Sequence, residues 1–353
     1  MKNFFLIVFC MAVGLGMRAQ SVYGLDGGNL IKFNTTDPEL TSSTPITGVS
    51  LLETLVGLDF RPATGELYLL GYNNLAGVAQ LYVLDTATAD ADTIGGPLAI
   101  SLGSNNVSFD FNPVADRIRI ITEDGDNYRV NPANGLLAAT DTSLMYSVSD
   151  ENAGQTPAII SVAYTNSFSG ATSTMLYGLD NDLNLLVTIN PPNGGMLQTV
   201  DTLDMDFDAD ADFDIGMNNM AYFVGSETGD DDSLYMLNLT TGEMTNMGQI
   251  GSGMDLNEIA VSINDISAIG ERELALEAQV FPNPMGSQLQ VKVASQQAIT
   301  LTLTDLAGKL IMEQELTAGS QQAQMDVSQL NAGLYLLTMS NGQTSTVRKV
   351  SKL

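Results

Sequence analysis

What most narrows the fold is a repeat inside the chain. Leu58-Asp59-Phe60-Arg61-Pro62 leads through Thr64-Gly65-Glu66 to Leu67-Tyr68-Leu69. Starting 51 residues later, Phe109-Asp110-Phe111-Asn112-Pro113 leads through Ala115-Asp116-Arg117 to Ile118-Arg119-Ile120. Each unit reads as a strand, a turn and a second strand. The opening recurs more weakly as Val162-Ala163-Tyr164, as Phe213-Asp214-Ile215 ahead of Met220-Ala221-Tyr222, and as Ile259-Ala260-Val261. A second echo links Tyr23-Gly24-Leu25-Asp26 to Tyr177-Gly178-Leu179-Asp180. A period of about 40 to 50 residues holding four short strands marks propeller blades. From Val22 to Ile263 apolar and polar residues alternate in short runs broken by Gly, Asn, Asp and Pro, with almost no helical periodicity, which is an all-β pattern.

Openings at Leu58, Phe109, Val162, Phe213 and Ile259 predict a five-bladed β-propeller over residues 20–265. The stretch from Val22 to Val49 holds three candidate strands and no copy of the opening, whereas the last copy, Glu258 to Ile263, has nothing after it. The expectation is that this last strand completes the first blade, which closes the ring and leaves no free sheet edge.

Ahead of the repeats, Lys2, an apolar run from Phe4 to Leu15 and small residues up to Ala19 read as a Sec signal peptide over residues 1–19. The run is 12 residues long, short of the roughly 18 to 20 needed to span a bilayer, and no later segment approaches that length, so no transmembrane segment is expected. Cys10, inside the run, reads as apolar filler rather than a lipid attachment site. The net charge is -28, and -30 once Lys2 and Arg18 leave with the peptide. Such a chain repels nucleic acid and anionic lipid and favours cations, neutral glycans and other proteins. The chain has no His, and its one Cys leaves with the peptide. Ser-His-Asp and Cys-His nucleophiles, His-ligated zinc and disulfides are therefore excluded. Carboxylate chemistry, oxygen-ligated metals or binding alone remain.

Two groups of carboxylates are candidate sites. Asp59, Asp110 and Asp214 occupy one place in three opening strands, which are innermost in a propeller, so these side chains should approach the axis. Three anions there need a cation, for which Ca²⁺ or Mg²⁺ would suit, or hydrogen-bond donors. The alternative to a metal is that each Asp accepts from the turn that follows it, with Arg61 as ion-pair partner of Asp59. The second group is Asp204, Asp206, Asp208, Asp210, Asp212 and Asp214, at every second position. If extended, they form one acidic face opposite Met205, Phe207, Ala209, Ala211 and Phe213. No Gly stands sixth and no Glu twelfth, so this is no EF-hand. A loose surface calcium site and a solvated connection both stay open, and Asp230-Asp231-Asp232 could join either.

After Asn264 the alternation gives way to a charged spacer, read as a linker over residues 266–278. A second β unit of about 75 residues follows at 279–353, a length that fits a small β-sandwich. Four of its segments carry a resemblance: Val280-Phe281-Pro282-Asn283-Pro284, Leu303-Thr304-Asp305-Leu306-Ala307-Gly308-Lys309, Leu330-Asn331-Ala332-Gly333-Leu334-Tyr335, and the basic end Arg348-Lys349-Val350-Ser351-Lys352-Leu353. In this order at the C-terminal end they closely resemble the type A sorting domain of the type IX secretion system. The resemblance implies a Bacteroidota-type cell, a translocon and a sortase-like peptidase as partners, passage through the periplasm and across the outer membrane, and release or surface attachment. Two prolines around Asn283 should make a stiff extended lead-in, and Ala307-Gly308 and Ala332-Gly333 should supply turns of positive φ.

The central region resembles the domain of unknown function 4394 family. It does so through Gly57-Leu58-Asp59-Phe60-Arg61-Pro62, Asp110-Phe111-Asn112-Pro113, Asn127-Tyr128-Arg129-Val130-Asn131-Pro132 and Phe213-Asp214-Ile215. That family carries no established activity. The reading is a secreted or surface-attached propeller used for binding or as a scaffold, with calcium as a candidate cofactor and an extracellular glycan or protein as its candidate partner. The alternative is a carboxylate- or metal-dependent hydrolase or lyase acting on glycans or lactones. Against it, the chain has no Trp, so the aromatic platforms of a sugar site would have to come from Tyr and Phe.

Overall fold

Turn residues cut the chain into short strands, and each turn shows why its residues stand there. Gly65 and Asp116 occupy the same place in the two strongest repeats, with φ of 78 and 49 degrees. Glycine tolerates this left-handed backbone freely and Asp more readily than most residues, so one turn is written with two residue types. The computed structural model describes residues 19–103, 106–226, 231–263, 278–293, 298–305, 309–317, 322–340 and 345–352. The expected signal peptide, Ala19 apart, and all but the last residue of the expected linker lie outside them. The chain divides into two compact units, Met1–Asp265 and Ile266–Leu353.

In the first unit, β1 (Ser21–Asp26), β2 (Asn29–Asn34) and β3 (Asp37–Pro45) belong to blade 1. Blade 2 is β4 (Thr54–Phe60), β5 (Leu67–Asn73), β6 (Val78–Leu84) and β7 (Ala91–Leu98). Blade 3 is β8 (Val107–Asn112), β9 (Arg117–Thr122), β10 (Asn127–Val130) and β11 (Leu137–Thr140). The connection onward includes β12 (Met145–Tyr146), which pairs in parallel with the outer strand of blade 4. Blade 4 itself is β13 (Ile159–Tyr164), β14 (Leu176–Asp180), β15 (Leu185–Ile189) and β16 (Met196–Thr202). Blade 5 is β17 (Asp212–Ile215), β18 (Ala221–Gly225), β19 (Ser233–Leu237) and β20 (Met244–Gln249). Finally β21 (Glu258–Val261) joins blade 1, in the order β21-β1-β2-β3. Its register against β1 sets Val22 opposite Val261 and Leu25 opposite Glu258. The five-bladed ring closes as the repeats predict.

The apolar core lies between blades. Phe109 and Phe111 of blade 3 pack with Tyr68, Leu70 and Leu81 of blade 2, and the Tyr68 and Phe111 rings meet edge to face at 5.0 Å. Ile160 and Ala163 of blade 4 meet Phe213 and Phe223 of blade 5, and Val22, Ile31 and Phe33 of blade 1 meet Tyr222, Val224 and Leu234 of blade 5. Innermost strands are thus covered on both faces, and every residue of β13, β17 and β21 is buried.

The second unit is a sandwich of two antiparallel sheets around one core that includes Leu289, Val291, Leu301, Leu303, Leu337 and Met339. One sheet is β22 (Ala278–Phe281), β23 (Gln288–Val293) and β26 (Gln322–Asp326). The other takes β24 (Ile299–Asp305), β25 (Leu310–Leu316), β27 (Gly333–Ser340) and β28 (Ser345–Lys352) in the order β25-β24-β27-β28. Gly333 has the expected positive φ, 159 degrees, but as the first residue of β27, paired with Lys352, and not inside a turn. Gly308 lies outside the described residues.

Candidate functional site

Each innermost strand has a hydrogen-bonded neighbour on one side only, so backbone N–H groups on its other edge need another acceptor. Asp59, Asp110 and Asp214 supply it, reaching from one blade to the next. The Asp59 Oδ2 accepts from the Phe111 N–H of blade 3 at 2.8 Å, and the Asp110 Oδ1 accepts from the Tyr164 N–H of blade 4 at 3.2 Å. The Asp214 Oδ2 accepts from the Val261 N–H of the closing strand at 2.6 Å. In the two remaining blades the equivalent residues are Ala163 and Ala260, which have no acceptor. There the next blade's own Asp turns an oxygen to its own strand: Ile215 N–H donates to Asp214 Oδ1 at 2.5 Å, and Phe60 N–H donates to Asp59 Oδ1 at 2.6 Å. Three carboxyl groups therefore serve all five inner-strand N–H groups at this level.

A second level lies two residues earlier, at Gly57, Ser108, Ser161, Asp212 and Glu258. Val162 N–H donates to Ser108 Oγ at 2.6 Å, Phe213 N–H to Ser161 Oγ at 3.2 Å, and Ile259 N–H to Asp212 Oδ2 at 2.7 Å. The Ser161 hydroxyl also donates to Asp212 Oδ1. Gly57 is glycine because a Cβ there would stand 2.5 Å from the Phe109 Cβ. Glu258 is buried, and its carboxyl has no hydrogen bond among the described residues.

One carboxyl oxygen from each of Asp59, Asp110 and Asp214 lies within 4.8 Å of the other two, the one such group of three among the described residues. The three residues are 3, 3 and 4 % exposed. Burial, and then the neighbouring carboxyl groups, hold Asp59 and Asp110 well above the usual carboxylate range, against the pull of the N–H donors. Burial pushes Asp214 up to about 6 and Asp212 up to about 7, and burial with Asp212 beside it pushes Glu258 well up. Such a group can hold protons near neutral pH or concentrate charge for a cation. Where the inner strands begin, Asp210, Asp212 and Glu258 line a pocket of about 250 Å³ with Thr54, Val107 and Ile160.

Three expectations change. Arg61 does not pair with Asp59: its Nε and Nη2 donate to the two Asp116 oxygens at 2.8 and 2.6 Å. The axial Asp residues accept from strands, mostly of the next blade, and not from the turn that follows. The acidic run is also not one face. Met205, Phe207, Ala211 and Phe213 are buried and Asp204 and Asp206 exposed, but a turn from Asp208 to Ala211 exposes Ala209 beside Asp210. Asp212 and Asp214 then enter β17 and point to the axis. Asp204 accepts from the Met244 N–H and Asp208 from the Ser226 hydroxyl. Asp210 and Asp232 are raised by burial first and by nearby Asp255 and Asp208 second, Asp232 to about 7. Asp230 lies outside the described residues.

In the sandwich, Asn283 explains its place between the two prolines. Its Nδ2 donates to the Lys349 carbonyl at 3.0 Å, and its Oδ1 accepts from the Ser351 N–H at 2.9 Å, tying the lead-in to the basic last strand. Phe281 sits in β22 opposite Gln290, and the Tyr335 hydroxyl donates to the Asn331 carbonyl at 2.9 Å. Arg348 and Lys349 lie on β28 opposite Leu337 and Leu336, and Asp305 ends β24 opposite Tyr335.

Several solved structures are similar to this chain at low identity. A GH43 glycoside hydrolase engineered for endo-xylanase and exo-arabinofuranosidase activity is 8% identical at a TM-score of 0.40, with 92% of this chain and 86% of that one covered. The Dos1 propeller is 12% identical at 0.37, with 95% and 91% covered. PorZ, a surface component of the type IX secretion system of Porphyromonas gingivalis, is 9% identical at 0.28, with 92% and 63% covered. None of these assigns a ligand or an activity to this chain. No curated protein matches it. The family model described as a domain of unknown function, DUF4394, matches residues 29–260, and the secretion system C-terminal sorting domain matches residues 279–352. The chain therefore belongs to the DUF4394 family, and its sorting domain marks it for export by the type IX system to the cell surface or extracellular space.

Proposed function

We propose that the propeller is an extracellular binding or scaffold module. The observation that carries this reading is the engagement of Asp59, Asp110 and Asp214 by backbone N–H groups, none of the three lining the pocket at the start of the inner strands. Carboxyl groups that hold blades together are poorly placed to attack or protonate a substrate. The route proposed is Sec export with loss of residues 1–19, folding of residues 20–265, a linker at 266–278, and recognition of residues 279–353 by translocon and sortase. The test is a panel of extracellular glycans and proteins presented to residues 20–265, with hydrolase and lactonase assays alongside. Binding without turnover is expected. Turnover lost in Glu258→Gln or Asp212→Asn, the carboxyl groups that do line a pocket, would reverse the reading.

A cation on the axis is the second reading, favoured by the 4.8 Å grouping of the three Asp oxygens. Calcium would satisfy lone pairs that the N–H donors leave free. Asp208, Asp210, Asp232 and Asp255 form a looser acidic group where calcium could also sit. Thermal unfolding should then rise by several degrees with millimolar calcium and much less with sodium at matched ionic strength. Loss of the rise in Asp110→Asn would assign it to the axis, and loss in Asp208→Asn with Asp210→Asn to the surface. Equal responses to the two salts would exclude both.

A further inference from the structure

Between Ala19 and Asp265 the chain has five basic residues, Lys32, Arg61, Arg117, Arg119 and Arg129, and the last three line a second pocket, of about 200 Å³, between blades 3 and 4. Arg119 on β9 and Arg129 on β10 stand directly opposite each other, and Arg117 lies on the same face two residues before Arg119. Like charges in such positions repel unless something answers them. Asp141 answers part of the charge. It accepts from Arg119 Nη1 at 3.0 Å and from Arg129 Nε and Nη2 at 2.7 and 2.9 Å.

Arg119 is 2 % exposed and fixed from every side, its Nε on the Tyr164 hydroxyl at 2.9 Å and its Nη2 on the Asn193 Oδ1 at 2.7 Å. Arg117 donates Nη1 to the Asp116 carbonyl at 2.7 Å, while the Asp116 carboxylate is held by Arg61. Arg119 and Arg129 thus share the Asp141 carboxylate and Arg61 and Arg117 the Asp116 carboxylate, four guanidinium groups on two carboxylates in a chain whose net charge is -28. The unused polar capacity among the described residues here is donor capacity: Nε and Nη2 of Arg117, Nη1 of Arg129 and the Asn193 amide nitrogen. A site that offers donors and positive charge selects an anion, and planar guanidinium groups suit a carboxylate. Pro191 and Pro192 give the pocket an apolar wall. The net charge of -28 disfavours ligands of high negative charge.

We infer that this pocket binds the carboxylate of a small, otherwise neutral organic acid of about the size of one sugar acid. The inference rests on the binding-module reading and gives it a ligand class. Calorimetric titration of the full chain with glucuronate, glucose and sulfate at fixed ionic strength tests it. Glucuronate should bind saturably and glucose and sulfate at least about tenfold more weakly. Arg117→Gln, at a partly exposed position, should weaken glucuronate by at least about tenfold, and Arg117→Lys by less. A glucuronate-capped oligosaccharide that binds tighter than the free acid supports a glycan end as the source, and the reverse supports a free acid. Glucuronate and glucose binding alike, or Arg117→Gln binding like the original protein, would overturn the inference. Retention of some other ligand from the panel beside that result would leave the binding-module reading intact and remove this site alone.

Discussion

At the scale of single residues, the axial carboxyl groups differ in how many backbone donors depend on them. Asp59 and Asp214 each accept from two N–H groups, and Asp110 accepts from one. Replacing Asp by Asn keeps one acceptor oxygen and turns the other into a donor. Asp110→Asn can keep the Tyr164 bond while removing one of three neighbouring charges, so it should be neutral or stabilising at pH 8. Asp59→Asn and Asp214→Asn set an NH₂ group against a buried N–H and should cost about 1–3 kcal/mol each. Denaturant unfolding of the three variants checks this order, and equal effects would contradict it. The repeats make the Asp level legible, because Asp59, Asp110 and Asp214 share one place in the opening. The level two residues earlier is hidden, since Ser108, Ser161 and Asp212 share a task and not one residue type, and Gly57 and Glu258 at the same level take no part in it. The arginine pocket is less legible still: Arg119 and Asn193 are 74 residues apart in sequence and meet only when blades 3 and 4 pack.

Among elements, β21 has the most consequences for its length. It is the innermost strand of blade 1, it receives the Asp212 and Asp214 carboxyl groups of blade 5, and Ile259 and Val261 fill the core beside Val22 and Ile31. Deleting residues 255–264 exposes several large apolar side chains, each worth about 1.5–3 kcal/mol, which is comparable to the whole stability of a domain. Hydrogen exchange should show protection lost at Tyr23 to Phe33 as well as at the C-terminal edge of the unit. Unchanged protection at Tyr23 to Phe33 would mean the ring does not depend on its closing strand. This closure was legible because the first blade lacks an opening and the last opening lacks a blade. Strands β22 and β26 were not, since a Pro-rich lead-in and a run of Gln and Ala give little alternation to read.

For the whole molecule, buried carboxyl groups set the direction of the pH response. Asp214 and Asp212 keep their protons up to about pH 6 and about pH 7 when folded, and release them near 4 when unfolded. In that window the folded chain binds more protons than the unfolded one, so stability falls as pH rises. The penalty is absent below about pH 4 and complete for these two above about pH 7. Asp116, held low by Arg61, acts oppositely and loses its contribution only at more acidic pH. The midpoint of thermal unfolding should therefore be higher at pH 5 than at pH 8. A flat profile would indicate that the carboxyl groups are ionised and compensated, as a bound cation would do. A chain ending at Asp265 should fold and stay off the cell surface, because the sorting domain lies beyond it. Surface labelling of cells making the shortened chain checks this, and normal display would contradict the sorting assignment.

The pairing of β1 with β21 also sets a schedule for folding. About 240 residues separate the two partners, a separation that makes closure slow. A growing or threading chain therefore carries an open arc of blades until almost the last residue of the domain has arrived. The sorting domain is the next segment to emerge, so the moment of closure and the arrival of the address nearly coincide. Joining the ends by a short linker and opening the chain between two other blades would separate those events in time.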